Sequence, residues 1–180
     1  RIRIAKEGVN GTLASSVKNI TLYKEKLEEK FNFFNDIHWK HSTSTIRPFP
    51  DFSVIKCNEL ISLGVGVVPN SKNMKPGIHL TPQEFHQALI ESSKTPQDVA
   101  ILDVRNNLEY QIGHFQQALN PETRSFAQWP SYINQNVELL KKKKKIFMYC
   151  TGGIRCETAS AFLYGKVNPS SQTTEEVVQE

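Results

Sequence analysis

Apolar and polar residues alternate at the start of the chain, where Arg1-Ile2-Arg3-Ile4-Ala5 has the pattern of a strand. Gly8-Val9-Asn10-Gly11 supplies turn chemistry and Thr12-Leu13-Ala14 resumes an extended pattern, so the segment predicts a hairpin or a bent pair of strands. The period then changes. Val17, Ile20, Leu22, Tyr23, Leu27 and Phe31 recur at near-helical spacing with Lys and Glu between them, predicting one amphipathic helix over 17–31. Two further strands are expected at 37–42 and 52–63, separated by the Pro48-Phe49-Pro50 loop. Together these elements predict a small α+β domain over 1–66. Pro, Asn, Ser and Gly crowd into 67–77, which favours turns over ladders and marks that stretch as a linker. Thr81-Pro82 is a cap followed by Pro at the first helical position, opening a helix to about Ile90 with Phe85, Ala88 and Leu89 facing inward. The runs Val99-Ala100-Ile101-Leu102-Asp103-Val104 and Ile146-Phe147-Met148-Tyr149 suit parallel strands covered on both faces. An α/β domain is therefore expected over 78–165, with 166–180 as a polar, disordered tail.

Composition narrows the functional classes. At 180 residues and 38% hydrophobic content, two small domains can each bury a core. Lys and Arg total 22 against 18 Asp and Glu, a net +4, which permits an anionic partner without demanding one. The stretch from Lys166 to Glu180 holds one Lys and three Glu, so the rest of the chain has 21 basic against 15 acidic residues and carries +6. Three cysteines, and no apolar run near the roughly 18 residues that span a bilayer, predict a cytoplasmic protein with no membrane partner. The His and Cys residues show no C-x2-C spacing, so no metal site is expected. The chain opens at Arg1 directly in a strand pattern, as expected of a piece of a longer protein.

The chemistry concentrates where the second apolar run ends, in Cys150-Thr151-Gly152-Gly153-Ile154-Arg155, followed by a helix expected over about 156–164. A strand running straight into a helix places the thiol where backbone N–H groups converge at a positive helix end. Gly152 and Gly153 let the backbone curl around an anion, so Cys150 is expected to be an acidic, nucleophilic cysteine. Arg155 adds a fixed charge and a planar donor fork for an oxyanion or persulfide. Cys156 is either a resolving thiol for an oxidised Cys150 or a small residue packed in the first helical turn. Asp103 and Arg105 end the neighbouring strand, where they either pair with each other as a loop anchor or frame the pocket. Cys57, isolated in the first domain, is expected in the core. The run Lys141 to Lys145 precedes a strand whose far end bears Cys150, so it is expected to be a solvated element end facing away from the loop.

Residues 103–118, Asp-Val-Arg-Asn-Asn-Leu-Glu-Tyr-Gln-Ile-Gly-His-Phe-Gln-Gln-Ala, resemble the rhodanese pattern of an Asp-x-Arg strand end followed by Glu-Tyr, Gly-His and Ala. Tyr149 to Glu157 resembles the active loop of one rhodanese subgroup, the oxygen-dependent tRNA uridine hydroxylases. Ala5-Lys6-Glu7-Gly8-Val9-Asn10-Gly11 is similar to that subgroup's N-terminal signature, and Asn120 to Tyr132 to its inter-strand segment. The resemblance implies a rhodanese-like parallel sheet with flanking helices, preceded by a ferredoxin- or acylphosphatase-like α+β domain. It further implies hydroxylation of carbon 5 of the wobble uridine of tRNA, with dioxygen as co-substrate, no tightly bound cofactor, and Cys150 as the required cysteine. Arg1, Arg3, Lys6 and Asn10, in or beside the signature, become the expected tRNA contacts. His114, in the rhodanese-typical loop, is expected to fix that loop by a hydrogen bond.

Three alternatives remain. Other rhodaneses take a sulfane sulfur from thiosulfate or a related small donor as a cysteine persulfide, which the same loop would serve. An inactive rhodanese-like binding module is the second. A cysteine phosphatase is the third, but such enzymes have five residues between Cys and Arg, whereas only Thr151, Gly152, Gly153 and Ile154 intervene here. The resemblance ends after Tyr164, so the last strand and helix of the rhodanese fold are expected to be missing, with a cost in stability and activity.

Overall fold

The computed structural model describes the whole chain except Asp36, His38, residues 65–74, residues 169–177 and Glu180. Two compact units divide between Leu60 and Ile61.

In the first unit, β1 (Ile2–Ala5) and β2 (Gly8–Gly11) pair antiparallel around the Lys6-Glu7 turn, with Arg3 opposite Asn10. β3 (Val54–Lys56) adds in parallel to the other side of β1, giving the order β2-β1-β3. Gly11 is required by close approach, because a Cβ there would lie 2.9 Å from the Arg1 carbonyl oxygen. α1 (Val17–Lys30) begins where the Ser16 side chain accepts a hydrogen bond from the Asn19 N–H, the capping expected of Ser before a helix. The unit is closed by the Glu7 carboxylate, which accepts from the Leu60 N–H, and by Arg3, which donates to the Leu60 carbonyl at 3.3 Å. The strand expected at 37–42 is absent from the described residues of that stretch. Its apolar positions, Ile37 and Trp39, are too few to form a sheet face.

The second unit is a parallel sheet of β4 (Val99–Asp103), β5 (Ala118–Leu119), β6 (Lys145–Tyr149) and β7 (Val178–Gln179), in the order β5-β4-β6-β7. Four helices join it: α2 (Pro82–Ser92), α3 (Asn107–Ile112), α4 (Trp129–Leu140) and α5 (Ile154–Val167). The period of two along each strand sorts the core into two layers. Ala100, Leu102, Val104, Ile146 and Met148 pack with Trp129, Ile133 and Leu140 of α4 and with Ala159, Phe162 and Leu163 of α5. Ile101 and Phe147 face the other way, against Phe85, Ala88 and Leu89 of α2. Both faces are covered, which is why β4 and β6 are continuous apolar runs in sequence.

Two expected boundaries shift. Leu63, expected in a strand of the first domain, is 1% exposed in the α4–α5 layer, so the second unit begins before residue 66. The expected linker at 67–77 lies largely outside the described residues. The stretch expected as a disordered tail is partly ordered: Lys166 and Val167 complete α5, and β7 pairs Val178 with Ile146 and Gln179 with Phe147. A strand of two residues is too short to leave a periodicity, so the sheet's fourth member was invisible in the polar sequence around it.

Candidate active site

Cys150 follows the last residue of β6 and lies half-buried at the carboxyl end of the sheet, beside the start of α5. The Gly153 N–H donates to the Cys150 sulfur at 3.0 Å. Gly153 has φ of 85°, a left-handed conformation that a side chain would strain, and this turn aims the amide inward. Cys150 is pulled down to a pKa of about 5. The largest cause is a hydrogen bond from the Cys156 side chain, and the N–H groups of Cys156, Gly152 and Arg155 add to it, while burial opposes them. These amides belong to the loop and the first turn of α5, where N–H groups have no intrahelical acceptor and carry the positive end of the helix dipole. Near neutral pH the sulfur is a thiolate held in a cradle of donors.

Arg155 sits differently from the sequence expectation. Its Nη1 and Nη2 donate to Oε2 and Oε1 of Glu109 at 2.7 and 2.8 Å, and Nη2 also reaches the Thr151 hydroxyl at 3.2 Å. The fork expected for a substrate oxyanion is occupied by a carboxylate. Its charge still acts on Cys150, since the two raise each other's charged forms. The Thr151 hydroxyl donates to Glu109 Oε1 at 2.9 Å, so one carboxylate ties down both Thr151 and Arg155. Glu109 is itself fixed at the start of α3, where its backbone N–H donates to the Asn106 side chain at 2.9 Å and its carboxylate accepts from the Asn106 N–H at 3.1 Å. The Arg155 guanidinium, with help from these amide and hydroxyl donors, holds the Glu109 carboxyl at about 2.

Asp103 and Arg105 form a loop anchor rather than a pocket wall. Asp103 is fully buried, and Arg105 donates to it from the backbone N–H, Nε and Nη2, the last at 2.7 Å. Arg105 Nη2 continues to the Gly113 carbonyl at 2.5 Å, and the Tyr149 hydroxyl donates to Asp103 Oδ2 at 2.7 Å. Tyr149 in turn accepts from the Phe115 N–H at 3.2 Å. Burial and the Asp103 carboxylate push the Tyr149 phenol up, so it stays a donor. This network fixes the 113–115 loop against β4 and β6 on the face opposite Cys150. His114 belongs to the same loop, its Nδ1 lying 3.0 Å from the Tyr110 carbonyl and its ring stacked on Tyr110 at 3.8 Å.

Cys156 takes the packed position expected of a small residue in the first helical turn, 3% exposed within the α4–α5 layer, and from there its side chain helps to lower the Cys150 pKa. Ile154 opens α5 and is half-buried. A Cβ on Gly152 would meet nothing within 4 Å, so space is open on that side of the loop. In the lysine run, Lys143 donates to the Gln97 carbonyl, and Lys141 and Lys144 pair with Glu138 and Asp98. These residues lie at the amino end of β6, away from the thiolate. In the first unit, Arg1, Arg3, Lys6 and Asn10 share the β1–β2 hairpin, with Arg3 committed in part to Leu60. Cys57 is half-buried, its thiol 3.6 Å from the Ile4 carbonyl, rather than a core residue. Among the described residues, no group of three His, Cys, Asp or Glu could hold a metal ion, and no helix is long and apolar enough to cross a membrane.

Glu109 is the functional residue that sequence reasoning missed. Asn106-Asn107-Leu108-Glu109 carries the signal of a capping box, which locates the helix start. Nothing in that motif points to Arg155, 46 positions away.

Comparison with known proteins is consistent with this geometry. Residues 81–171 match the family model of the rhodanese-like domain, and residues 1–60 match that of the UPF0176 acylphosphatase-like domain. The first match passes Tyr164, where the sequence alone showed the resemblance ending. A protein of the Aster yellows witches'-broom phytoplasma named tRNA uridine(34) hydroxylase is 42% identical over 163 residues, covering 91% of this chain and 50% of its own length. Proteins of the same name from Legionella pneumophila and Rickettsia rickettsii are each 36% identical over 162 residues, covering 90% of this chain and 60% and 62% of their own lengths. The chain thus spans about half to three fifths of these curated relatives.

Proposed function

The chain belongs to the rhodanese-like domain family, and we propose that it acts on tRNA, hydroxylating carbon 5 of uridine 34 with dioxygen as co-substrate and Cys150 as the reacting thiolate. The observation that carries this proposal is the Cys150 cradle, joined in one chain to the acylphosphatase-like domain that accompanies relatives named for that activity. Uracil carbon 6 is the electron-poor end of an enone. A thiolate adding there forms a carbon–sulfur bond and places electron density on carbon 5, the position to be oxygenated; once oxygen is in place, carbon 5 loses its proton and the carbon–sulfur bond breaks, returning the Cys150 thiolate. Inserting one oxygen atom and releasing the other as water takes two electrons and two protons from an external reductant. The chain's own contribution is a nucleophile charged at neutral pH and a loop held rigid by Glu109. The β1–β2 hairpin, with Arg1, Arg3, Lys6 and Asn10, supplies contacts to the phosphate backbone.

Sulfur transfer is the second reading, favoured by the same donors, since amides that hold a thiolate also hold the terminal sulfur of a persulfide. One experiment separates the two. In a host lacking its own tRNA uridine hydroxylase, expression of the chain should restore 5-hydroxyuridine in tRNA nucleosides measured by mass spectrometry, and Cys150→Ser should abolish it. Unmodified tRNA together with thiosulfate-to-cyanide transfer would assign the site to sulfur chemistry. Neither activity would leave a binding module.

A further inference from the structure

We propose that Cys156 is the resolving thiol of Cys150: when a peroxide oxidises Cys150, Cys156 closes a disulfide with it inside the same loop. The inference rests on Cys150 being the reactive thiolate of the reading above, but not on which substrate it serves. Three observations converge on it. Cys156 lies in the first turn of α5, inside the core layer against which Cys150 packs, and its side chain is the largest cause of the lowered Cys150 pKa, so the two thiols are neighbours across one loop. Their exposures differ, Cys150 being half-buried and Cys156 3% exposed, so a small oxidant in solvent reaches only the first. Between them lie Gly152 and Gly153, the latter already left-handed, which gives the loop the freedom to bring the sulfurs to the roughly 2.05 Å of a covalent bond.

The chemistry balances with hydrogen peroxide as the oxidant. The Cys150 thiolate attacks one peroxide oxygen; the O–O bond breaks, hydroxide leaves, and Cys150 becomes a sulfenic acid, oxidised by two electrons while the peroxide is reduced. The Cys156 sulfur then attacks the Cys150 sulfur. An S–S bond forms, the S–O bond breaks, and the oxygen leaves as water with the Cys156 proton. No further oxidant is consumed, and a dithiol reverses the step. Cys150 is thereby kept from the irreversible sulfinic acid, and the site is silent until reduced. Cys57, in the other unit and bonded to the Ile4 carbonyl, has no part in the step and serves as an internal control.

The chain reports the bond directly, because a tryptic site at Arg155 separates the two cysteines. The whole chain is treated with one equivalent of hydrogen peroxide, its free thiols are alkylated, and it is digested without reductant. The expected product is residues 146–155 joined to residues 156–166, two hydrogens lighter than the sum, and released by dithiothreitol. Cys156→Ser, which removes the resolving sulfur but keeps a donor for Cys150, should trap about tenfold more Cys150 sulfenic acid with dimedone than the unaltered chain. Equal dimedone labelling with no joined peptide would overturn the proposal, as would a bond from Cys150 to Cys57 or to a second chain. If Cys150 resists both peroxide and alkylation near neutral pH, the reactive-thiolate reading fails with it; if Cys150 is oxidised but unbridged, this inference alone fails.

Discussion

Glu109 holds Thr151 and Arg155 with one carboxylate, and through them it sets the shape of the loop around Cys150. Glu109→Gln keeps the volume but leaves Arg155 without its counter-charge. It is expected to cost about 1–3 kcal/mol in denaturant unfolding and to slow turnover by at least about tenfold. The titration of the site gives a second expectation, with its sign fixed by the direction of each shift. Cys150 has a folded pKa of about 5, below the unfolded value of about 8.5. Its contribution to stability is therefore complete above about 8.5, declines as the pH falls, and is gone below about 5. Glu109 behaves alike between an unfolded value of about 4.3 and its folded value of about 2. Unfolding measured across these windows should show a slope that Cys150→Ala removes from the upper one and leaves in the lower. At this scale the sequence revealed the nucleophile, because Cys-x4-Arg with two glycines is a local pattern. It concealed the carboxylate that occupies the arginine, because that contact is made only when α3 and α5 are brought together by the sheet. It also left Asp103 and Arg105 open between two roles, and only the Tyr149 hydroxyl, arriving from the adjacent strand, decides for the anchor.

The joint between β6 and α5 is the element that turns a buried strand into a reactive loop. Gly153→Ala forces a Cβ into the left-handed region and is expected to cost about 1–2 kcal/mol. Because the same residue aims its amide at sulfur, the substitution should also raise the Cys150 pKa, read as a shift of the absorbance of the thiolate toward higher pH. Beneath the joint, Phe147 is 1% exposed and meets Phe85 edge-on at 5.9 Å, so Phe147→Ala should destabilise the second unit by about 3–5 kcal/mol in urea or thermal unfolding. The strands β4 and β6 were legible because a parallel strand buried on both faces leaves an unbroken apolar run. The helices α2 and α5 were legible from a cap and from the glycine loop. β5 and β7 were not, since each has two residues and takes its place from neighbours rather than from its own pattern.

At the scale of the molecule, the proposed function draws on two units: the second carries the thiolate and the first carries the cationic hairpin of Arg1, Arg3 and Lys6. Lys6→Ala, on the exposed turn, should weaken tRNA binding about equally for all sequences and reduce the slope of log affinity against log salt by about 0.7–0.9, the value of one phosphate contact, in filter-binding or fluorescence titrations. Arg3→Ala should do so with an added loss of stability, because Arg3 also closes the first unit onto Leu60. Domain order and the two-unit division were visible in sequence from the turn-rich stretch after residue 66, while the boundary itself moved to Leu60 because Leu63 belongs to the second core. Every chemistry considered for the molecule needs a charged sulfur at Cys150 under neutral conditions. The rate of iodoacetamide alkylation at Cys150, followed by mass spectrometry from pH 4 to 10, measures that charge directly. The structure predicts a rate that rises through a midpoint of about 5; a midpoint at the roughly 8.5 of an ordinary cysteine would contradict it.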